Sequence, residues 1–318
     1  MEPPVIATAL PEVTDTTLDA PNPVPARPDP RNRLNELTGR EWLYFQSSVL
    51  TTAYPVNGPG SYGHKLRRAH PSPKPPQLMA ALIGFFTRRG GRVLDPFAGV
   101  GGTLLGCALT ERRGVGLDLA AAYRDIYLAV CAQEALAAQP FLLGDARVLL
   151  DGSERGEAAA ELAEPFDLIL ADPPYGEMLS RPQSGEKRKR TGCDDPTPFT
   201  ADPADLGNLP RAAFFEALGA IIGLAVGRLK PGGHLILFAK DLQPTAAHHN
   251  LLHADIVAHF ATALPQLRFR GYKLWVDQTI NLYPFGYPYS FVANQVHQYI
   301  LIWQHHDPQG AKTTPRKG

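Results

Sequence analysis

Four short apolar runs, each closed by an acid, organise the middle of the chain. They occupy residues 91–95, 114–118, 140–145 and 166–172 and end on Asp95, Asp118, Asp145 and Asp172. Continuous runs of this length, rather than alternating ones, predict strands buried on both faces. A fifth run, 234–238, has no terminal acid. Between the runs the period lengthens. Residues 99–110 read as a glycine-rich turn entering a helix, 120–136 as an alanine-rich helix, and 214–229 as a helix stopped by Lys230-Pro231-Gly232-Gly233. Strands alternating with helices imply an α/β fold, a mostly parallel sheet with right-handed crossovers. Residues 299–303 read as a final strand that closes the sheet in an antiparallel hairpin. Just upstream, Tyr283, Phe285, Tyr287, Tyr289 and Phe291 alternate at period two. Core packing of that hairpin is the first expectation for them, base stacking the second.

The flanks behave differently. Residues 1–33 hold eight prolines and few large apolar side chains, and residues 307–318 are polar, so both are expected to be disordered tails around a domain spanning 34–306. Residues 176–210 form a long polar insertion, of the kind that usually carries function. The chain has 31 Lys plus Arg and 31 Asp plus Glu, which excludes a uniformly basic coat for nucleic acid but not a local basic face. Cys107, Cys131 and Cys193 are too few for a disulfide framework and lack zinc-ligand spacing. With no apolar stretch long enough for a membrane span and no signal-peptide pattern, the expectation is a cytoplasmic protein without a metal.

The first chemical constellation is Asp95-Pro96-Phe97-Ala98-Gly99-Val100-Gly101-Gly102-Thr103, lying between a strand and a helix where open α/β sheets bind ligands. Its glycines let a ligand approach the backbone. It lacks the Lys-Ser/Thr pair of a phosphate loop and departs from the dinucleotide pattern. Asp95 would repel a pyrophosphate and welcome a cation. Asp118, followed by Leu119, can accept from both hydroxyls of a ribose, and Asp145, followed by Ala146, from an adenine amino group. Three acids at three strand ends suggest a nucleoside cofactor without phosphates, and S-adenosylmethionine fits.

The second constellation is Asp172-Pro173-Pro174-Tyr175-Gly176. An exocyclic amino group is a poor nucleophile because its lone pair is delocalised into the base. Asp172 can accept one amino hydrogen and a carbonyl beside Pro173 the other, so that the lone pair can turn toward a methyl donor. The prolines preorganise that backbone. Tyr175 offers a face for a flipped base.

These two strings resemble the cofactor and catalytic motifs of DNA amino-methyltransferases. His70-Pro71-Ser72-Pro73-Lys74-Pro75 is similar to the segment that precedes the cofactor motif in that family, and Trp42 to Val49, with Ser48, to a stretch that neighbours the cofactor. The resemblance implies a Rossmann-like class I methyltransferase fold with a seven-stranded sheet. It implies methylation of a flipped base in DNA, in a modification system of the restriction type. Adenine N6 is favoured as acceptor, with cytosine N4 in DNA or guanine N2 in tRNA as alternatives. The tRNA enzymes usually carry an RNA-binding domain in front, for which 1–33 is too short. No separate recognition domain follows the catalytic motif, so recognition falls to short inserts. Lys187, Arg188, Lys189 and Arg190 are candidates for backbone phosphates, and Lys240, ending the fifth strand before Asp241, for the target base.

Overall fold

The computed structural model describes residues 27–153, 156–176, 199–244 and 249–306. Lys187, Arg188, Lys189, Arg190, Cys193 and residues 1–26 and 307–318 lie outside the described residues. In chain order the elements are α1 (Gly39–Phe45), β1 (Val49–Thr52), α2 (His64–Arg67), α3 (Pro76–Phe86), β2 (Arg92–Asp95), α4 (Gly102–Leu109), β3 (Arg113–Asp118), α5 (Ala121–Glu134), β4 (Phe141–Leu143), α6 (Ala146–Leu150), α7 (Glu157–Leu162), β5 (Phe166–Ala171), α8 (Arg211–Val226), β6 (Leu229–Ala239), α9 (Leu252–Ala263), β7 (Leu267–Asp277) and β8 (His297–His305). The strands form one sheet in the order β1-β7-β8-β6-β5-β2-β3-β4. All neighbours run parallel except β8, which is antiparallel to both β6 and β7.

The acid-terminated runs are the strands β2 to β5, and the apolar runs are buried on both sides. Leu94, Ile169 and Leu237 point into a core shared with α8 and α9, while Val93, Leu168, Leu170 and Phe238 point into one shared with α3. Period two thus survives inside strands that look uniformly apolar. Cys107 and Cys131 are buried thiols. No helix among the described residues is long and apolar enough to cross a membrane.

Four expectations need correcting. The sheet has eight strands, not seven: β1 adds to the edge beside β7, with Val49 opposite Leu274. The hairpin partner of β8 is β7, not the aromatic run. Tyr287, Tyr289 and Phe291 are 80%, 93% and 92% exposed in the loop between those strands. Pro284 and Pro288 sit among the aromatics, and a residue without an N–H cannot serve a ladder. Lys230-Pro231-Gly232-Gly233 is not a turn but the bulged start of β6, where the register against β5 jumps between Phe166 and Leu168. Finally, the end of the proline-rich stretch is tied down: Pro28 bridges to Thr38, and the Asn32 side chain donates to Asn35 at 2.7 Å.

Candidate active site

The carboxyl ends of β2, β3, β4 and β5 surround a pocket of about 970 Å³, counting its open mouth. Asp95, Pro96, Phe97, Gly99, Thr103, Asp118, Leu119, Asp145, Ala146, Asp172, Pro173, Pro174 and Tyr175 all line it. Two predicted residues do not. Ser48 is exposed just before β1, on the far edge strand and at that strand's amino end, and its carbonyl accepts from the Leu274 N–H at 2.7 Å. Gly101 turns away from the pocket. At φ +76° it presses against Tyr127, whose Cδ2 would lie 2.2 Å from an added Cβ. Gly99 does face the pocket, at φ +50°, with the His70 ring 3.2 Å from where its Cβ would stand.

The acids differ in what holds them. Asp95 is buried beneath the turn and accepts from the Phe97 N–H at 2.9 Å. Loss of water pushes its carboxyl up to about 7, against that hydrogen bond, with Asp172 and Asp118 adding repulsion. Among the described residues it has no cationic partner, so a cationic ligand would relieve it. Asp118 accepts from the Gly99 N–H at 2.8 Å and the Ala120 N–H at 2.9 Å, and burial raises its pKa too. Asp145 caps α6 through the Arg147 N–H and is bound by the Arg147 guanidinium at 2.6 Å. Partial burial opposes its charge, but Arg147 holds it below the usual carboxylate range.

Asp172 is the most constrained. Its Oδ2 accepts from Lys74 Nζ at 2.5 Å, and its Oδ1 from the Tyr175 hydroxyl at 2.9 Å. Among the described residues no further donor reaches either oxygen, which leaves each a second lone pair for a ligand. Burial and the neighbouring carboxylate push the Tyr175 phenol well above its ordinary value, so it stays a donor. Lys74 is 4% exposed, and Phe238 lies 5.1 Å beneath its ammonium.

Lys74 was not singled out in the sequence as a site residue, because its partner lies 98 positions downstream. It rides on a strap, residues 53–75, that crosses the carboxyl edge of the sheet before α3. Buried Arg67 braces the strap by donating to the carbonyls of Tyr62 (3.0 Å) and Lys74 (2.7 Å). His70 is carried by the same strap. Burial lowers its pKa to about 4, so the ring is neutral at pH 7. Its Nδ1 accepts from the Ser72 N–H at 3.2 Å, which leaves the proton on Nε2, toward Gly99. The end of the long insertion was also missed as a pocket wall. Buried Asp205 accepts from the Thr200 N–H and hydroxyl and from the Gly207 N–H, all within 3.0 Å, which folds 199–207 over the pocket. The Tyr123 hydroxyl pins it further by donating to the Phe199 carbonyl at 2.8 Å.

Beyond Tyr175 lies a second cavity, lined by Lys240, Asp241 and residues from the β7–β8 loop. Lys240 and Tyr175 thus line the same cavity. Asp241 is engaged elsewhere: both its oxygens meet His253 Nδ1 at 2.8 Å, and that ring stacks on Tyr299.

A mostly parallel sheet, an antiparallel strand slotted in beside β6 and a pocket at its carboxyl edge define the Rossmann-like fold of the class I methyltransferases. S-adenosylmethionine is the cofactor of that fold, and the uncompensated Asp95 suits its cationic end. The family model described as "DNA methylase" matches residues 32–129. The curated tRNA (guanine(10)-N2)-dimethyltransferase of Methanothermobacter thermautotrophicus is 35% identical over 120 residues, 37% of this chain. The chain spans about a third, 31%, of that relative's length. Among solved structures, TrmN from Thermus thermophilus aligns with TM-score 0.47 and 19% identity over 80% of this chain and 54% of that one. An rRNA methylase from Streptococcus thermophilus aligns with TM-score 0.38 and 10% identity over 68% of this chain and 87% of that one.

Proposed function

We propose that the protein transfers a methyl group from S-adenosylmethionine to the exocyclic amino group of a base in a nucleic acid. The observation that carries this reading is Asp172, held between Lys74 and Tyr175 where the cofactor pocket meets the second cavity. The bound cofactor supplies a methyl group activated by its sulfonium. Asp172 accepts one amino hydrogen, and the carbonyl beside the rigid Pro173 accepts the other. With both hydrogens held, the nitrogen becomes pyramidal and its lone pair faces the methyl group. One N–C bond forms as one S–C bond breaks, and the proton shed by the nitrogen leaves along the Asp172 hydrogen bond to water. Lys74 keeps the carboxylate oriented throughout. Asp95, Asp118 and Asp145 would hold the cationic, ribose and adenine parts of the cofactor in turn.

Two polymers are in play. DNA, with adenine N6 as acceptor, is supported by the family model; RNA, with guanine N2 as acceptor, by the curated relative. Incubation with radiolabelled cofactor and either polymer tests the common reading, which fails if neither takes up label. Asp118→Ala should weaken cofactor binding by about 1.5–3 kcal/mol through loss of charge-assisted hydrogen bonds. Calorimetry showing unchanged affinity would remove Asp118 from the site. Replacing Lys187, Arg188, Lys189 and Arg190 with Ala should weaken nucleic-acid binding and flatten its salt dependence by about one unit of slope per lost phosphate contact. A salt slope identical to that of the unmodified protein would return the run to solvent.

A further inference from the structure

The connectivity of the sheet carries the loop after β7 to the catalytic edge. β7 is antiparallel to β8, β8 is antiparallel to β6, and β6 runs parallel to β5. β7 therefore ends at the same edge as the strand that leads into Asp172, and residues 278–296 bridge β7 to β8 there. Phe285 of this loop lines the second cavity together with Tyr175 and with Pro71 and Ser72 of the strap. Past Phe285, the rings of Tyr287, Tyr289 and Phe291 stand almost wholly in water, and Leu282 before it is 72% exposed. Apolar surface gathered in one place like this marks a binding site.

A hydrogen-bonded frame holds those rings out. The Asn294 side chain pairs with both the N–H and the carbonyl of Tyr283, and Gln243 Nε2 donates to the Ala293 carbonyl. Within that closure the Tyr289 and Ser290 N–H groups both donate to the Gly286 carbonyl, at 2.7 and 2.8 Å. Gly286, at φ +78°, leaves no room for a Cβ against the Ser290 carbonyl. Rings framed in this way have less freedom to lose on binding than rings on a slack loop.

Whatever covers them must leave the cavity open. A lipid surface or a second copy of the chain seated on the loop would close the mouth beside Tyr175, through which an acceptor base reaches Asp172. The acceptor strand would not, since it is what enters there. Its bases are flat π-faces that stack on aromatic side chains whatever their sequence, and its phosphates suit nearby positive charge. Lys240 lines the cavity, and Lys65 and Arg68 are exposed on α2 of the strap. No carboxylate pairs with any of the three among the described residues. Bases in a duplex stack on one another and hide those faces. We infer that the β7–β8 loop is a stacking platform for unpaired nucleotides beside the target base, with Tyr287, Tyr289 and Phe291 as its contacts. The inference rests on the reading above, in which the acceptor belongs to a nucleic acid. It adds that the strand is single where the enzyme grips it.

Fluorescence anisotropy with the full chain and labelled strands of mixed sequence, DNA and RNA, single and duplex, reads the contact directly. Single strands should bind more tightly than duplexes of the same sequence. Tyr287→Ala, Tyr289→Ala and Phe291→Ala should each weaken single-strand binding by roughly 5- to 150-fold, the worth of one stacked base. In methylation assays they should raise KM, with kcat and cofactor affinity unchanged. Phe291→Leu keeps apolar bulk without a π-face and should lose most of the affinity, whereas Phe291→Trp should keep it. Melting temperatures should not move, because these side chains are exposed. The triple alanine variant should keep the parent's salt slope, because the lost contacts are not ionic. A strand of abasic nucleotides, with phosphates but no bases, should bind the parent and the triple variant equally. Unaltered single-strand affinity and KM in the triple variant would overturn the inference and leave the proposed function standing. Loss of flotation with phosphatidylglycerol vesicles, or of a dimer in sedimentation velocity, with nucleic-acid affinity intact, would also overturn it and assign the loop to a lipid surface or a second copy. A parent chain that labels neither polymer would bring down the proposed function, and the inference with it.

Discussion

Asp172→Ala is expected to cut methyl transfer by at least about 10²–10³-fold, the cost of removing one preorganised group aimed at developing charge. Nothing else among the described residues can take over. Tyr175 is a donor toward this position, and Lys74 is a cation. The cofactor should still bind, because Asp95 and Asp118 end two other strands and Asp145 caps the helix that follows a third. The loss should therefore appear in single-turnover rates, with calorimetric affinity for S-adenosylmethionine retained. Removing Asp172 also leaves Lys74 buried without its partner, which destabilises the edge of the site. Asp172→Asn keeps the shape and one acceptor oxygen, and should be slow while melting closer to the parent. Near-normal turnover in both variants would end the two-acceptor mechanism.

The largest expected effect on stability is at Gly101. An alanine there must adopt φ near +76° and set a methyl group 2.2 Å from Tyr127 Cδ2. Tyr127 cannot swing aside: it is fully buried, and its hydroxyl accepts from the Gln139 N–H at 2.6 Å. The left-handed backbone costs about 1–2 kcal/mol and overpacking about 1–3 more. The melting temperature should fall by roughly 5–15 °C. Gly84 is the control. It lies inside α3 with nothing within 4 Å of an added Cβ, so Gly84→Ala should hold or raise the melting temperature. Equal melting of the two alanine variants would contradict this account of the turn.

Those two positions illustrate what the sequence makes legible. Strands β2 to β5 declare themselves because each is a dense apolar run closed by an acid, and the pocket follows because those acids share one sheet edge. Thirteen of the fifteen residues expected at the cofactor and catalytic positions do line it. What stayed hidden depends on partners far along the chain. β7 is Leu-Arg-Phe-Arg-Gly-Tyr-Lys-Leu-Trp-Val-Asp, broken by charges and a glycine, and reads as a strand only once β8 and β1 flank it. Helix α9 shows Leu252, Ile256 and Phe260 at helical spacing, a signal that was available but lay between two louder segments. Lys74 looks like one more polar residue in a proline-rich stretch until Asp172 meets it. Gly101 has a role in packing rather than binding, which no local pattern distinguishes.

The pairing of β1 with β7 also sets a clock. Val49 meets Leu274, and the Phe45 and Ser47 carbonyls that flank β1 wait for Lys273. At a ribosomal pace of about 5–20 residues per second, those partners emerge on the order of 10–45 s after the strand they complete. During that interval α1 can already lean on α3 through Phe45 and Phe85, stacked at 3.9 Å, but the strand beyond it has an open edge. The first part of the domain to be made is thus among the last to be sealed. A nascent chain arrested before residue 264 should be clipped by protease between α1 and α3, and a released full-length chain should resist cleavage there.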